Sequence, residues 1–321
     1  MRVLVTGANG FVGRALCNRL IADQFQVVAA TRNQTDFSSP YLSHTQITDL
    51  SANTDWTASL QHVDVVVHLA ARVHVMTDRA TSPLDEFMSV NTEGTLNLAR
   101  QAAAAGVRRF IFISSVKVNG EETFSANNAA FRETDAADPK DPYAISKWRA
   151  ECGLQKLRGE CSMEIVILRP PLVYGPGVKG NFATLIRLID RGIPLPLASV
   201  HNKRSFIALD NLVDFISLCI NREKSSRASN EVFLLSDGED ISTPELLRRI
   251  GQAYNKPARL LPAPESWLHL MARILNQGAI ADRLLGSLVV DSSKARELLN
   301  WHPVSNMYEQ LEMMAKYDSH T

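Results

Sequence analysis

Tyr143 and Lys147 stand four residues apart in Pro142-Tyr143-Ala144-Ile145-Ser146-Lys147-Trp148, a segment that opens on a proline and reads as the first turns of a helix. That spacing sets both side chains on one face, about 5–6 Å apart at Cβ. A phenol ionises at about pH 10, too high for a base at neutral pH. A neighbouring ammonium, together with the positive ring of a bound nicotinamide, favours the phenolate, which is expected to lower the pKa of Tyr143 and make it a usable general acid and base. Two hydroxyls, Ser114 and Ser115, come at the end of the apolar run that begins at Phe110 and can bond the same substrate oxygen. The chemistry these residue types support is moving a proton on and off a carbinol oxygen, the companion of hydride transfer.

Hydride transfer needs a cofactor, and the start of the chain is suited to hold one. Arg2-Val3-Leu4-Val5 is a short apolar run, and Thr6-Gly7-Ala8-Asn9-Gly10-Phe11-Val12-Gly13 follows it. Residues 14–23 then carry Ala15, Leu16, Leu20 and Ile21 at helical spacing. Strand, tight turn and helix in that order set free N–H groups and a partial positive charge against a pyrophosphate. Gly7 allows the sharp turn, Gly10 lets backbone approach the anion, and Gly13 permits close helix packing. The segment Gly7, Asn9, Gly10, Phe11, Val12, Gly13 is thus expected to cradle a dinucleotide. The second strand ends in Ala29-Ala30-Thr31-Arg32-Asn33, with no carboxylate for an adenine ribose. Thr31 and Arg32, with Arg14 in support, suit a 2′-phosphate, so NADP(H) is expected ahead of NAD(H).

Apolar runs at 26–30, 63–69, 110–114 and 164–168, with a weaker one near Gln46-Ile47, alternate with helix-like stretches at 84–105 and 143–157. Near-continuous apolar strands separated by helices indicate an α/β doubly wound parallel sheet buried on both faces. After residue 170 prolines become denser and the alternation loses regularity. Residues 1–170 are therefore expected to form the dinucleotide-binding domain. Residues 171–321 form the smaller substrate-binding part, with segments returning to the first sheet. The 34 basic residues balance 34 acidic ones, which gives no reason to expect nucleic acid or a membrane as partner. Cys17, Cys152, Cys161 and Cys219 have no paired or metal-ligand spacing, so reduced thiols, a cytoplasmic setting and no metal are expected. Only Arg2 precedes the first strand, so neither a leader nor an anchor is expected.

The Gly-x-x-Gly-x-x-Gly loop with Tyr143-x-x-x-Lys147 resembles the extended branch of the short-chain dehydrogenase/reductase superfamily. The closest likeness is to the NAD-dependent epimerase/dehydratase family, with its UDP-sugar 4-epimerases and UDP-N-acetylquinovosamine 4-dehydrogenase-like enzymes. The resemblance implies a Rossmann-type fold and a catalytic set of Ser115, Tyr143 and Lys147, the lysine also holding the nicotinamide ribose. Ser115 is selected over Ser114 because the family's hydroxyl stands five residues before the glycine of Ser-Ser-x-x-Val-Tyr-Gly, here Ser114-Ser115-Val116-Lys117-Val118-Asn119-Gly120. The same likeness assigns Asp49-Leu50 to the adenine side, Leu69, Ala70 and Ala71 to the loop after the fourth strand, and Asn91 to the cofactor site. His68 is equally well explained as a core histidine.

For substrate it implies Lys117, Asn181, Arg204 and Arg283. Asn181 follows Gly180 at a helix start suited to a pyrophosphate. Arg204 lies in Lys203-Arg204-Ser205-Phe206-Ile207-Ala208-Leu209-Asp210, which resembles the family's Arg-Asp-Tyr-Ile-His-Val-Asp-Asp, and would meet a UDP phosphate. Two departures narrow the reaction. The carboxylates that dehydratases and decarboxylases carry just after the serine are replaced by Val116 and Lys117, and Leu172 stands where an asparagine is usual. What remains is oxidation and reduction at one carbinol carbon. The first expectation is an NADP(H)-dependent 4-ketoreductase of a UDP-4-keto-6-deoxy-N-acetylhexosamine. The alternative is a UDP-glucose or UDP-N-acetylglucosamine 4-epimerase with retained NAD, and a third is a non-catalytic dinucleotide-binding protein. The intact Ser115, Tyr143 and Lys147 weigh against the third, and family resemblance adds a homodimer as an expectation.

Overall fold

The computed structural model describes residues 1–33, 38–73, 82–123, 130–274 and 278–319. The large sheet begins with β1 (Arg2–Thr6), β2 (Gln26–Thr31), β3 (Leu42–Gln46) and β4 (Val65–His68), with α1 (Phe11–Ala22) between the first two. Then come α2 (Pro83–Phe87), a wide π-helical turn (Met88–Gly94) and α3 (Thr95–Ala104), which follow one another without a break. They are followed by β5 (Arg109–Ile113), α4 (Pro142–Arg158) and β6 (Glu164–Arg169).

The carboxyl-terminal part adds β7 (Leu172–Tyr174), α5 (Asn181–Asp190), β8 (Arg204–Ala208), α6 (Leu209–Ile220), β9 (Val232–Leu234) and β10 (Asp240–Ile241). It continues with α7 (Thr243–Ala253), α8 (Glu265–Ile274), α9 (Gly278–Leu285), α10 (Ser293–Leu299) and α11 (Met307–Ser319). Among the described residues, no helix is long and apolar enough to cross a membrane.

Seven strands join in the order β3-β2-β1-β4-β5-β6-β9, all parallel. This is the doubly wound Rossmann-type α/β sheet that the apolar runs imply. Period-two alternation divides each strand between two cores. Val3 and Val5 face one side with Leu16 and Leu20 of α1 and Phe215 and Ile216 of α6. Leu4, Val66 and Phe110 face the other with Leu98 of α3 and Leu154 of α4. Because both faces are covered, the strands read as unbroken apolar runs. The weak third run lies a few residues earlier than expected, at Leu42–Gln46, because an edge strand with exposed Ser43 and His44 carries little apolar pattern. Expected helix 84–105 corresponds to α2, the π turn and α3 together.

Two segments from beyond residue 170 lie on the large sheet. β9 pairs in parallel with β6, Ile167 opposite Val232 and Arg169 opposite Leu234. Phe215 of α6 meets Phe233 of β9 with ring centres 5.3 Å apart and Trp301 at 5.0 Å, both edge to face. Trp301 Nε1 also donates to Asp214 Oδ2 at 3.0 Å. A second sheet, β10-β8-β7, carries its own core around Tyr174, Phe182, Phe206 and Leu247. Trp301→Ala should cost about 3–5 kcal/mol in urea unfolding, the usual range for emptying an aromatic core site. A loss under about 1 kcal/mol would mean that Trp301 does not tie this segment to the sheet.

Candidate active site

The loop after β1 is compact because backbone touches backbone. Gly7 has φ +68°, and the Gly10 amide donates to the Gly7 carbonyl at 2.9 Å. A Cβ on Gly7 would lie 2.9 Å from Ala70 N, and one on Gly13 would lie 2.1 Å from the Gly7 carbonyl oxygen. Gly13 therefore serves the closure of the loop itself, where close helix-to-strand packing was expected. The first helical bond of α1 runs from Arg14 N to Gly10 O at 2.9 Å, and no side chain caps the helix. The N–H groups of Phe11, Val12 and Gly13 thus face outward from a helix N-terminus, beside the exposed Asn9 and Gly10. Uncapped donors and a cradle that a Cβ would fill fit a dinucleotide pyrophosphate.

At the end of β2, Thr31 is buried and its hydroxyl donates to the Asn33 carbonyl at 2.7 Å. The hydroxyl hydrogen of Thr31 is thereby committed to its own turn. Arg32 is exposed beside it. Asp49 is exposed and accepts from Thr54 Oγ1 at 3.3 Å, while Leu50 is buried against Gly94, where a Cβ would lie 2.8 Å from Leu50 Cγ.

His68 is wholly buried at the end of β4. Its Nδ1 meets Thr6 Oγ1 at 2.7 Å and its Nε2 meets Thr95 Oγ1 at 2.9 Å. Thr95 donates its hydroxyl hydrogen to the Asn91 carbonyl at 2.7 Å, so its oxygen must accept from Nε2–H. The ring is then the neutral Nε2–H tautomer, Thr6 donates to Nδ1, and Thr6 in turn accepts from the Ala70 amide at 3.1 Å. Burial, with Lys147 adding to it, pushes the pKa of His68 down to about 3. Leu69, Ala70 and Ala71 continue half-buried from β4.

Asn91 is fully buried, accepts from Arg72 N at 2.8 Å, and donates to Arg72 O and Ser146 Oγ at 3.0 Å each. An amide so engaged holds the loop after β4 to the helix bearing Tyr143.

Asp141 caps α4, its Oδ1 accepting from Ala144 N at 2.7 Å, and Pro142 occupies the first turn. Tyr143 is half-buried, with Phe87 of α2 packed edge-on at 6.2 Å. Lys147 is buried, donates from Nζ to the Ile113 carbonyl at 2.8 Å, and lies 6.0 Å from the Tyr143 ring centre. Burial pushes Lys147 down to about 7 against the pull of Glu151. Burial and then Asp141 push Tyr143 up to about 12. The lowered phenol expected from the sequence is therefore not what the protein alone produces, because desolvation outweighs a lysine that is itself close to neutral.

Ser114 is buried and donates to Glu151, whose carboxylate also takes Arg169 Nη2 at 2.6 Å. Ser115, in extended backbone, turns instead into a cleft of about 1980 Å³ and accepts from Lys117 N at 3.3 Å. Lys117, Tyr143, Asn181, Arg204 and Arg283 line the same cleft. The Lys117 ammonium is bonded to Asp141 and, at 3.0 Å, to Glu121. Arg204 donates to the Gly286 carbonyl at 2.9 Å, and burial lowers its pKa against the influence of Glu122. Sequence reading missed Glu121, Glu122 and Asp141. Only Asp141 carried a local signal, an Asp-Pro pair at a helix start. The glutamates reach the cleft because the Thr123 amide bonds Ser287 O at 2.8 Å, a pairing across the chain with no local pattern.

The model of the NAD dependent epimerase/dehydratase family matches residues 3–234. A UDP-glucose 4-epimerase of Vibrio cholerae is 44% identical over 316 residues, 98% of this chain and 94% of the relative. The N-acetyl-α-D-glucosaminyl-diphospho-ditrans,octacis-undecaprenol 4-epimerase of Escherichia coli O157:H7 is 31% identical over 266 residues, 82% of this chain and 76% of the relative. Among solved structures, MoeE5 in complex with UDP-glucose and NAD superposes with TM-score 0.79 at 23% identity, covering 100% of this chain and 99% of that one. The UDP-glucuronic acid 4-epimerase of Bacillus cereus in complex with NAD gives 0.78 at 22%, covering 100% and 99%. At such identities these structures establish the fold. The chain belongs to the NAD dependent epimerase/dehydratase family and is an enzyme.

His68 makes stability depend on pH. Its folded pKa lies below the usual histidine value, so as pH falls below about 6.5 the unfolded chain gains a proton that the folded one refuses. Wild type should lose up to about 1.4 kcal/mol more per pH unit than His68→Gln between about pH 6 and pH 4, in parallel urea titrations. Equal slopes would mean that the histidine titrates normally in the fold.

Proposed function

We propose that the protein is a 4-epimerase of a UDP-hexose or UDP-N-acetylhexosamine, working with a retained NAD. The observation that carries the reaction class is the pair of residues after Ser115. Val116 is buried and Lys117 is engaged by two carboxylates, so no group for eliminating water or carbon dioxide stands beside the serine. Reversible oxidation of a carbinol is left. The 44% likeness to a UDP-glucose 4-epimerase along nearly the whole chain supports epimerisation over the 4-keto reduction expected first. The case for NADP(H) is also weaker, since the Thr31 hydroxyl is turned onto the Asn33 carbonyl.

In this reading Ser115 and Tyr143 bond the C4 oxygen, and Tyr143 takes its proton and later returns it. Lys147, held by the Ile113 carbonyl, lies below the phenol and reaches for the nicotinamide ribose. The bound dinucleotide supplies hydride acceptance and return, and the positive ring of its oxidised form. Such a charge would offset the burial and the Asp141 carboxylate that raise the pKa of Tyr143 in the protein alone. Arg204, with Arg283, would bind the diphosphate, leaving the hexose to turn its other face within the cleft. Asn181 at the start of α5 would add a contact there.

Purified protein should interconvert UDP-glucose with UDP-galactose, or their N-acetyl counterparts, without net change at the nicotinamide absorbance band. Stoichiometric consumption of reduced nicotinamide on a UDP-4-keto sugar, faster than any interconversion, would reinstate the reductase. Tyr143→Phe should lower turnover by about 10²–10⁴ while dinucleotide affinity stays within about twofold, since it removes a proton carrier and not the phosphate cradle. Cofactor released by denaturation should be NAD by mass spectrometry, and Arg32→Ala should leave its retention unchanged. Recovery of NADP, or loss of cofactor in Arg32→Ala, would contradict the retained-NAD assignment.

A further inference from the structure

Lys117 touches both halves of the proposed proton-transfer pair. Its backbone amide donates to Ser115 Oγ at 3.3 Å. Its ammonium bonds Asp141 Oδ2, while the other oxygen of that carboxylate caps α4 at Ala144 N, one residue past Tyr143. Glu121 holds the ammonium from the opposite side at 3.0 Å. Lys117 and Asp141 are partly withdrawn from solvent, at 26% and 19% exposure, where charges interact more strongly than on an open surface, while Glu121 is exposed.

We infer that Lys117 is a positioning residue that couples Ser115 to Tyr143: its amide fixes the serine oxygen, and its ammonium fixes and neutralises the carboxylate capping the tyrosine helix. The inference rests on the reading of Tyr143 as the proton-transfer group and replaces the expectation that Lys117 binds substrate. A bare Asp141 beside the phenol would oppose its ionisation; a paired one opposes it less. Among the described residues, Asp141 and Lys147 of its own segment are the charged groups placed against Tyr143, and Lys117, from the turn after β5, acts through Asp141 with Glu121 on its ammonium. Phe87 of α2 presents only its ring, with Arg72 stacked 5.5 Å from that ring. Glu121 adds a negative charge on the same ammonium, so removing the lysine takes from Asp141 the cation that it shares with Glu121.

The test is the ionisation of Tyr143 in NAD-loaded protein labelled with ¹³Cζ-tyrosine, the resonance assigned with Tyr143→Phe. No sugar is needed, so the outcome does not depend on the epimerase reading. In a pH titration, Lys117→Met should move the Tyr143 midpoint up by about one pH unit, which on the acid side of that midpoint is about a tenfold lower phenolate fraction. Lys117→Arg should stay near wild type. Lys117→Met with Asp141→Asn should recover wild type or exceed it, because asparagine still caps the helix without the charge. If activity is present, the acid limb of kcat/KM should move to higher pH in Lys117→Met and return in the double variant. An unchanged phenolate fraction in Lys117→Met, no phenolate in any of the proteins, or a change that Asp141→Asn leaves uncorrected would overturn the inference. A raised KM with an unmoved pH profile would return Lys117 to the substrate.

Discussion

A single oriented line of hydrogen bonds, from the Ala70 amide through Thr6, His68 and Thr95 to the Asn91 carbonyl, ties together the parts that any ligand in this cleft must meet. It links the end of β1, the end of β4 and the π turn, and Asn91 extends it to Arg72 and to Ser146 of α4. Each member donates in one direction and accepts from the other, so the tautomer of His68 is fixed by its neighbours. A fully satisfied buried polar line is rigid, whereas one missing partner would leave a costly orphan in the core. The glycine loop and the tyrosine helix are consequently held relative to each other by polar contacts, with apolar packing around them.

The same low-dielectric surroundings explain the resting electrostatics. Lys147 is pushed toward neutrality and Tyr143 away from ionisation by one cause, removal from water. Behind them Glu151 is shared between Arg169 and Ser114, a buried ion pair that satisfies its own charges and draws the neighbouring serine away from the cleft. That division of labour between adjacent serines lets Ser115 face the cleft while Ser114 secures the floor. Two carboxylates and a lysine at the cleft wall then adjust what the tyrosine experiences.

What was legible in the sequence was local. The glycines at 7, 10 and 13, the tyrosine and lysine one turn apart, and the apolar runs of the central strands all express short-range geometry that composition and spacing preserve. The clasp made by Asn91 was not legible because its partners lie in another loop and another helix, and its residue type alone suits a ligand as well as a clasp. The turn closed by Thr31 was not legible because a hydroxyl folding back on its own backbone leaves no pattern. β3 and β9 are short, and one lies at each edge of the sheet, where alternation is weak. The acidic members of the cleft come from segments that meet only through backbone pairing across more than a hundred residues, as between Thr123 and Ser287.

The position of β9 also bears on how the chain is made. The strand that covers the edge of β6 is synthesised some sixty residues after it, and Trp301, which packs on Phe215 over the first core, later still. On the ribosome the nascent sheet therefore waits with an open edge at β6 and an uncovered apolar face near β1. Contacts this distant in sequence form slowly, and an exposed edge invites pairing with other chains. The protein has most need of a chaperone late in translation, when its nucleotide-binding half is already emerged and still incomplete.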